Sequence, residues 1–173
     1  MDSAGEVIMT GISAAEEAEV EEALYAFNVA RTGVDDGEKV ASALRDGGGT
    51  LLGLVAGWTW GGCLDIRLLW VHESLRGRGW GTRLLHAAEA LAIARGCTQA
   101  LLDTHSFQAP AFYQRQGYVI YATLDDYPVS QQKHYLKKRL VGSVDNNLTS
   151  AQNEVEAKPH LKHPRASGLA PHH

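Results

Sequence analysis

Arg76, Arg78 and Arg83 surround a turn, Arg76-Gly77-Arg78-Gly79-Trp80-Gly81-Thr82, whose composition suits the binding of an anion. Glycines on alternate positions let the backbone turn sharply and bring its N–H groups within reach of a ligand. Downstream, Leu84, Leu85, Ala88 and Leu91 predict one face of a helix, and Gly96 is placed to stop it. A helix that starts in such a turn offers unpaired N–H groups and the positive end of its dipole, worth about 0.3–1 kcal/mol per anionic group at an exposed site. With three guanidinium groups nearby, the stretch has the outline of a pyrophosphate site. Neither common nucleotide fingerprint accounts for it. Gly77, Gly79 and Gly81 are spaced G-x-G-x-G, a dinucleotide site needs G-x-G-x-x-G, and no G-K-[ST] follows for a P-loop.

The elements that must hold this turn can be read outward from it. Before it, Leu64, Ile66, Leu68 and Trp70 alternate with Asp65, Arg67, Leu69 and Val71, which predicts a strand running through the core with its second half apolar on both faces. Further upstream, Val7 to Thr10 is expected to form an edge strand. Ser13-Ala14-Ala15-Glu16 has the pattern of a capping box, opening a helix that ends near 28–33 and turns Val20, Leu24 and Phe27 to the core. Val40 to Arg45, the turn Asp46-Gly47-Gly48-Gly49, Thr50 to Trp58 and the turn Gly61-Gly62 complete an antiparallel meander. Beyond Arg95, Ala100 to Asp103 must run parallel to the central strand, because a helix joins the two. A short helix over Ala109 to Gln116 tolerates Pro110 in its first turn and stops at Gly117. Tyr118 to Thr123 and Lys133 to Leu140 close a mixed α/β sheet, with Asp125-Asp126-Tyr127-Pro128 in the loop between them.

At 173 residues, 45% hydrophobic and 21% charged, the chain has room for one well-filled domain. No run of about 18 apolar residues exists to span a membrane. The N-terminal MDSAGEVIMT lacks the basic region and apolar core of a signal peptide, so a cytoplasmic protein is expected. Cys63 and Cys97, without a C-x-x-C or a nearby histidine pair, fit buried free thiols. Charge is unevenly spread: residues 1–46 hold 11 acids and 3 bases, residues 47–140 hold 6 acids and 10 bases. The basic part suits a phosphorylated cofactor, and the acidic part either steers in a cation or forms a solvated helix face. No basic run with interleaved aromatics points to nucleic acid. Residues 141–173 carry three of the five prolines and no Phe, Trp or Tyr, which predicts a flexible low-complexity tail after a domain over 1–140. His160, His163, His172 and His173 share no helix face on which a metal could be held, so none is expected.

Arg76, Gly79 and Gly81 match [RQ]-x-x-G-x-[GA] in register, and Ala109, Phe112, Tyr113, Gly117 and Tyr118 match A-x-x-F-Y-x-x-x-G-[FY] in the right order. These two motifs resemble those of the GCN5-related N-acetyltransferase (GNAT) family, and the likeness covers about Leu51 to Leu140. The resemblance implies a central mixed sheet of roughly six to seven strands flanked by about four helices, with acetyl-CoA as co-substrate. It implies cofactor contacts from Leu69, Trp70 and Val71, from Arg76, Gly77, Arg78, Gly79, Trp80, Gly81 and Thr82, and from Ser106, Ala109, Phe112 and Tyr113. Ser106 stands where many members carry Asn. Tyr113 is the implied proton donor to the departing thiolate. For the base, Asp65, Glu73, Asp103, His105 and a water relay all remain open. Because neither cysteine falls in a motif, direct attack by a primary amine in a ternary complex is expected. Acidic N-terminal elements, which form the acceptor side in this family, lean towards a small cationic amine such as a polyamine or aminoglycoside over a protein lysine. A non-catalytic acyl-CoA sensor and an O-acyltransferase or longer-chain transferase are the alternatives. A homodimer is common in the family.

Overall fold

The computed structural model of the chain describes residues 11–140, which fall into two units, 11–34 and 35–140. The strand expected at Val7 to Thr10, the tail from Val141 and its four histidines lie outside the described residues.

The first unit is helix α1 (Ala14–Thr32). Its capping box forms as expected: Ser13 Oγ accepts from the Glu16 N–H at 3.3 Å, and Glu16 Oε2 accepts from the Ser13 N–H at 2.7 Å. Those bonds, the backbone one first, hold the Glu16 carboxyl below its ordinary range. At the other end Gly33 takes a left-handed φ of 72° and returns its N–H to Val29. Along α1, Val20, Leu24 and Phe27 form an apolar stripe, while the caps, alanines and glutamates are the local determinants that make the segment helical.

The second unit is a sheet carrying helices. Its strands are β1 (Glu38–Arg45), β2 (Leu51–Trp60), β3 (Cys63–Val71), β4 (Gln99–His105), β5 (Val119–Asp125) and β6 (Gln132–Arg139). A 3₁₀ turn (Glu73–Leu75) and α2 (Trp80–Ala94) join β3 to β4, and α3 (Pro110–Arg115) joins β4 to β5. The sheet order is β1-β2-β3-β4-β6-β5; β3 and β4 are parallel and every other pair is antiparallel. The last strand thus enters between β4 and β5 instead of extending the edge. Residue types explain the turns. Asp46 Oδ1 accepts from the N–H groups of Gly48 and Thr50, both at 2.9 Å, and closes the β1–β2 hairpin.

The core lies wholly in this unit, where Leu84, Leu85, Ala88 and Ala92 of α2 meet Val40, Val55, Leu64 and Ile66 of the sheet. Leu91, expected on that face, is 38% exposed, and Glu89 takes a buried position at 6%. The carboxylate is buried because it is fully engaged: Lys138 Nζ lies 2.9 and 2.8 Å from its two oxygens, and the Tyr118 hydroxyl donates to it at 2.9 Å. Burial first and Glu89 second push the Tyr118 phenol far above the tyrosine range. Arg95 closes the helix end, bonding Lys39 O and buried Thr59 Oγ1 and pairing with Glu38. Cys97 is buried and Cys63 half-buried; burial raises both free thiols.

A β-bulge decides which side chains of β3 face which way. Gly57 pairs with Ile66 and Ala56 with Leu68, so Arg67 is the extra residue. The extra residue reverses the alternation. Leu64 and Ile66 point to the core, but beyond Arg67 it is Leu69 and Val71 that pack against it. Leu68 and Trp70, grouped with Leu64 and Ile66 by simple alternation, are 57% and 42% exposed. Gly57 permits this, because a Cβ there would collide with the Asp65 carbonyl oxygen.

Candidate active site

The parallel pairing of β3 with β4 runs only from Cys63↔Gln99 to Ile66↔Leu102, and beyond it the strands diverge. Leu69, Trp70 and Val71 stay bonded to β2, opposite Val55, Leu54 and Gly53. Their other edge looks into a cleft of about 620 Å³, lined by residues 66–71, Arg76, 102–105, 107–109 and Tyr113. Diverging strands give backbone N–H groups no strand partner and so leave them for a ligand carbonyl.

The glycine turn stands at the end of β3. Gly77 and Gly79 hold left-handed φ angles of 71° and 79°, and nothing lies within 4 Å of where a Cβ would project from either. Gly79 is the N-cap of α2 and supplies no side-chain bond, which leaves the first N–H groups of a 15-residue helix uncapped. Arg76 Nε donates to Val71 O at 3.1 Å and ties the turn back to the strand. The Arg83 guanidinium lies 4.3 Å from the Trp80 ring centroid. Arg78 lies in the turn and Thr82 in the first turn of α2. A Cβ on Gly81 would make only ordinary contact with Phe112 and Val71, so small size suffices there.

Tyr113 of α3 reaches the cleft wall at 8% exposure, with the Phe112 ring edge-on to it at 5.1 Å. Burial, and then the charge of Asp103, hold its phenol above the ordinary tyrosine range, which keeps the proton on the oxygen. Ala109 caps α3 and also lines the cleft. The Ser106 hydroxyl is engaged within the protein, donating to Gln131 Oε1 at 2.9 Å and accepting from the Gln132 N–H at 3.1 Å. Asp65 is bound by Arg67 at 2.7 Å and is not among the cleft-lining residues. Glu73 opens the 3₁₀ turn and does not line the cleft either. Asp103 and His105 do.

Sequence reasoning passed over Phe107, Gln108, Tyr127 and Lys133. Gln108 Oε1 accepts from Thr104 Oγ1 at 3.0 Å and from the His105 N–H at 2.8 Å, fixing the turn after β4. The Phe and Tyr in two polar loops were visible as aromatics in exposed positions, but nothing in the chain says that the loops meet. Taken together, the open strand edge, the uncapped helix end and the arginines fit a long thioester co-substrate with an anionic end.

The chain matches the family model for the acetyltransferase (GNAT) family over residues 10–118. It is 32% identical over 133 residues to Acetyltransferase Atu2258 of Agrobacterium fabrum, covering 76% of this chain and 97% of that protein. Over 93 residues it is 45% identical to the blasticidin-S acetyltransferase of Streptomyces morookaense, a match to 53% of this chain and 65% of the relative. The chain therefore spans just under two thirds of that relative's length. The crystal structure of an acetyltransferase from Bacillus cereus superposes with a TM-score of 0.67 at 34% identity, covering 78% of this chain and 98% of that one. The chain belongs to the GNAT family. Among the described residues no helix is long and apolar enough to cross a membrane.

Proposed function

We propose that the protein transfers an acetyl group from acetyl-CoA to a primary amine by direct attack in a ternary complex. One observation carries this reading: the diverging β3 and β4 strands leave a cleft lined by Leu69 to Val71, Arg76 and Tyr113, and the glycine turn with the uncapped start of α2 follows directly on Arg76. When bound, acetyl-CoA supplies the acetyl group as an activated thioester. The turn at Gly77 and Gly79, with Arg76, Arg78 and Arg83, holds the anionic end. Backbone N–H groups of Leu69 and Val71, on the strand edge away from β2, hold the carbonyl oxygen and stabilise charge as it develops there. The incoming amine must be neutral. Of the candidate bases, Asp103 and His105 line the cleft, which supports one of these two as the group that takes its proton. As the C–N bond forms and the C–S bond breaks, Tyr113 Oη gives its proton to the leaving sulfur.

For the acceptor, 11 acids against 3 bases in residues 1–46 support a small cationic amine. Similarity to a protein named for blasticidin S supports an antibiotic of that kind as the first acceptor to try. The test is release of free thiol from acetyl-CoA on addition of blasticidin S, a polyamine, an aminoglycoside or a lysine peptide. Amine-dependent thiol with one of the small cations is the expected result. Acetyl-CoA binding with no thiol from any of them would overturn the reading in favour of a sensor.

A further inference from the structure

Three aromatic rings gather in the loops after β4 and before β6, and two of them, His105 and Phe107, line the cleft. His105 and Phe107 are stacked, with centroids 5.2 Å apart and planes 20° apart, and Tyr127 lies 5.7 Å from His105. Phe107 is 59% and Tyr127 52% exposed, although both belong to a unit with a well-filled core. They come from different loops that one residue joins. Ser106 receives the Gln132 N–H on its hydroxyl, donates to Gln131, and sends its own N–H to Gln132 O at 2.8 Å. The ring cluster is thus built in place before any ligand arrives.

Charges beside the rings sort what can lie on them. Lys133 Nζ sits 5.9 Å from the Tyr127 centroid and 5.4 Å from that of Tyr135, and it pairs with Asp103 Oδ1 at 2.9 Å. An ammonium so close to the rings repels a cationic ring. Asp103 lines the cleft with a side chain that is 46% exposed, so beyond its Lys133 pair it can accept from a second ammonium. We propose that His105, Phe107 and Tyr127 form an acceptor subsite for a flat, uncharged aromatic or heteroaromatic ring, attached by a short linker to the amine that enters the cleft beside Asp103. This rests on the acetyl-transfer reading for the amine's fate, but not for the ring's binding.

Phenethylamine and cyclohexylethylamine carry the same amine and linker and differ in the flatness of the ring. Titrated calorimetrically into the CoA-loaded full chain, phenethylamine should bind about twofold to tenfold more tightly. Phe107→Leu and Tyr127→Leu keep apolar bulk at exposed positions and should each reduce that ratio, with the double variant bringing it to about unity. Equal affinities in the wild type, or a ratio that persists in the double variant, would overturn the subsite. Thiol release measured on the same samples separates the two ideas. A flat-ring preference without thiol from any amine sinks acetyl transfer and leaves the subsite standing; thiol release without the preference does the reverse.

Discussion

Tyr113 lines the cleft, and burial followed by the charge of Asp103 holds its phenol above the tyrosine range, so it meets the departing thiolate with its proton in place. Phenylalanine keeps the ring packed between Phe112 and Tyr118 but removes the proton. Tyr113→Phe should therefore bind acetyl-CoA as the wild type does and lose about 10²-fold to 10⁴-fold in kcat. If kcat stays within a few-fold, water protonates the sulfur. The sign of the pH effect follows from the cause of the shift. Raised by burial and then by Asp103, the phenol should keep its proton past its ordinary value of about 10. Asp103→Asn removes the second of those causes, so the phenolate of Tyr113, followed by ultraviolet absorbance, should appear at lower pH than in the wild type. No downward movement would mean that Asp103 does not sense the hydroxyl. At Gly79, with φ at 79° and open space ahead, valine both strains the backbone and fills the space an anion would occupy. Gly79→Val should abolish heat of acetyl-CoA binding while the far-ultraviolet spectrum stays native, and retained affinity would make the turn merely structural.

Among the elements, β3 does the most to shape the cleft. Its bulge at Arg67 sends Leu69 and Val71 inward and leaves the strand diverging from β4, so one inserted residue sets both the core packing and the opening. Gly57, opposite the bulge, is where this arrangement is most vulnerable. Alanine there collides with the Asp65 backbone, and relief requires the two strands to move apart. Gly57→Ala should cost about 1–3 kcal/mol in denaturant unfolding and lower kcat/KM as well, because the cleft edge moves with β3. Gly47→Ala meets nothing within 4 Å and is the control. Equal stability for the two variants would show that the bulge adapts freely.

Across the whole second unit, Glu89 joins parts that are distant in the chain, binding α2 to Lys138 of β6 and to Tyr118 just before β5. Tyr118 lies edge-on to Tyr113 at 6.0 Å, so this junction also backs the cleft wall. Taking away the carboxylate leaves a lysine that is only 20% exposed at its side chain without a partner. Glu89→Leu should lose about 3–5 kcal/mol of stability, read as a fall of roughly 10–20 °C in Tm. A smaller loss would mean that Lys138 swings out to water. The paired variant Glu89→Leu with Lys138→Met should recover most of it, since the uncompensated charge is what destabilises.

Local chemistry was enough to place much of this protein from its sequence. The capping box at Ser13, the Asp46 turn, the Gly61-Gly62 hairpin and the glycine turn before α2 each depend on residues within a few positions of one another, and each appears where it was expected. The two motifs likewise identified the family, because a glycine turn and an aromatic helix at that separation are both short-range patterns. What required the tertiary structure was every outcome that depends on a partner far along the chain. Alternation in β3 misplaced Leu68 and Trp70 because a bulge is a property of two strands in register. Helical spacing misplaced Leu91 because an apolar stripe says nothing of what covers it, and it hid Glu89, whose burial makes sense only beside Lys138 and Tyr118. The ring cluster is the same case: Phe107 and Tyr127 are 20 positions apart and both reach His105 only because β6 enters between β4 and β5 and Ser106 joins the two loops.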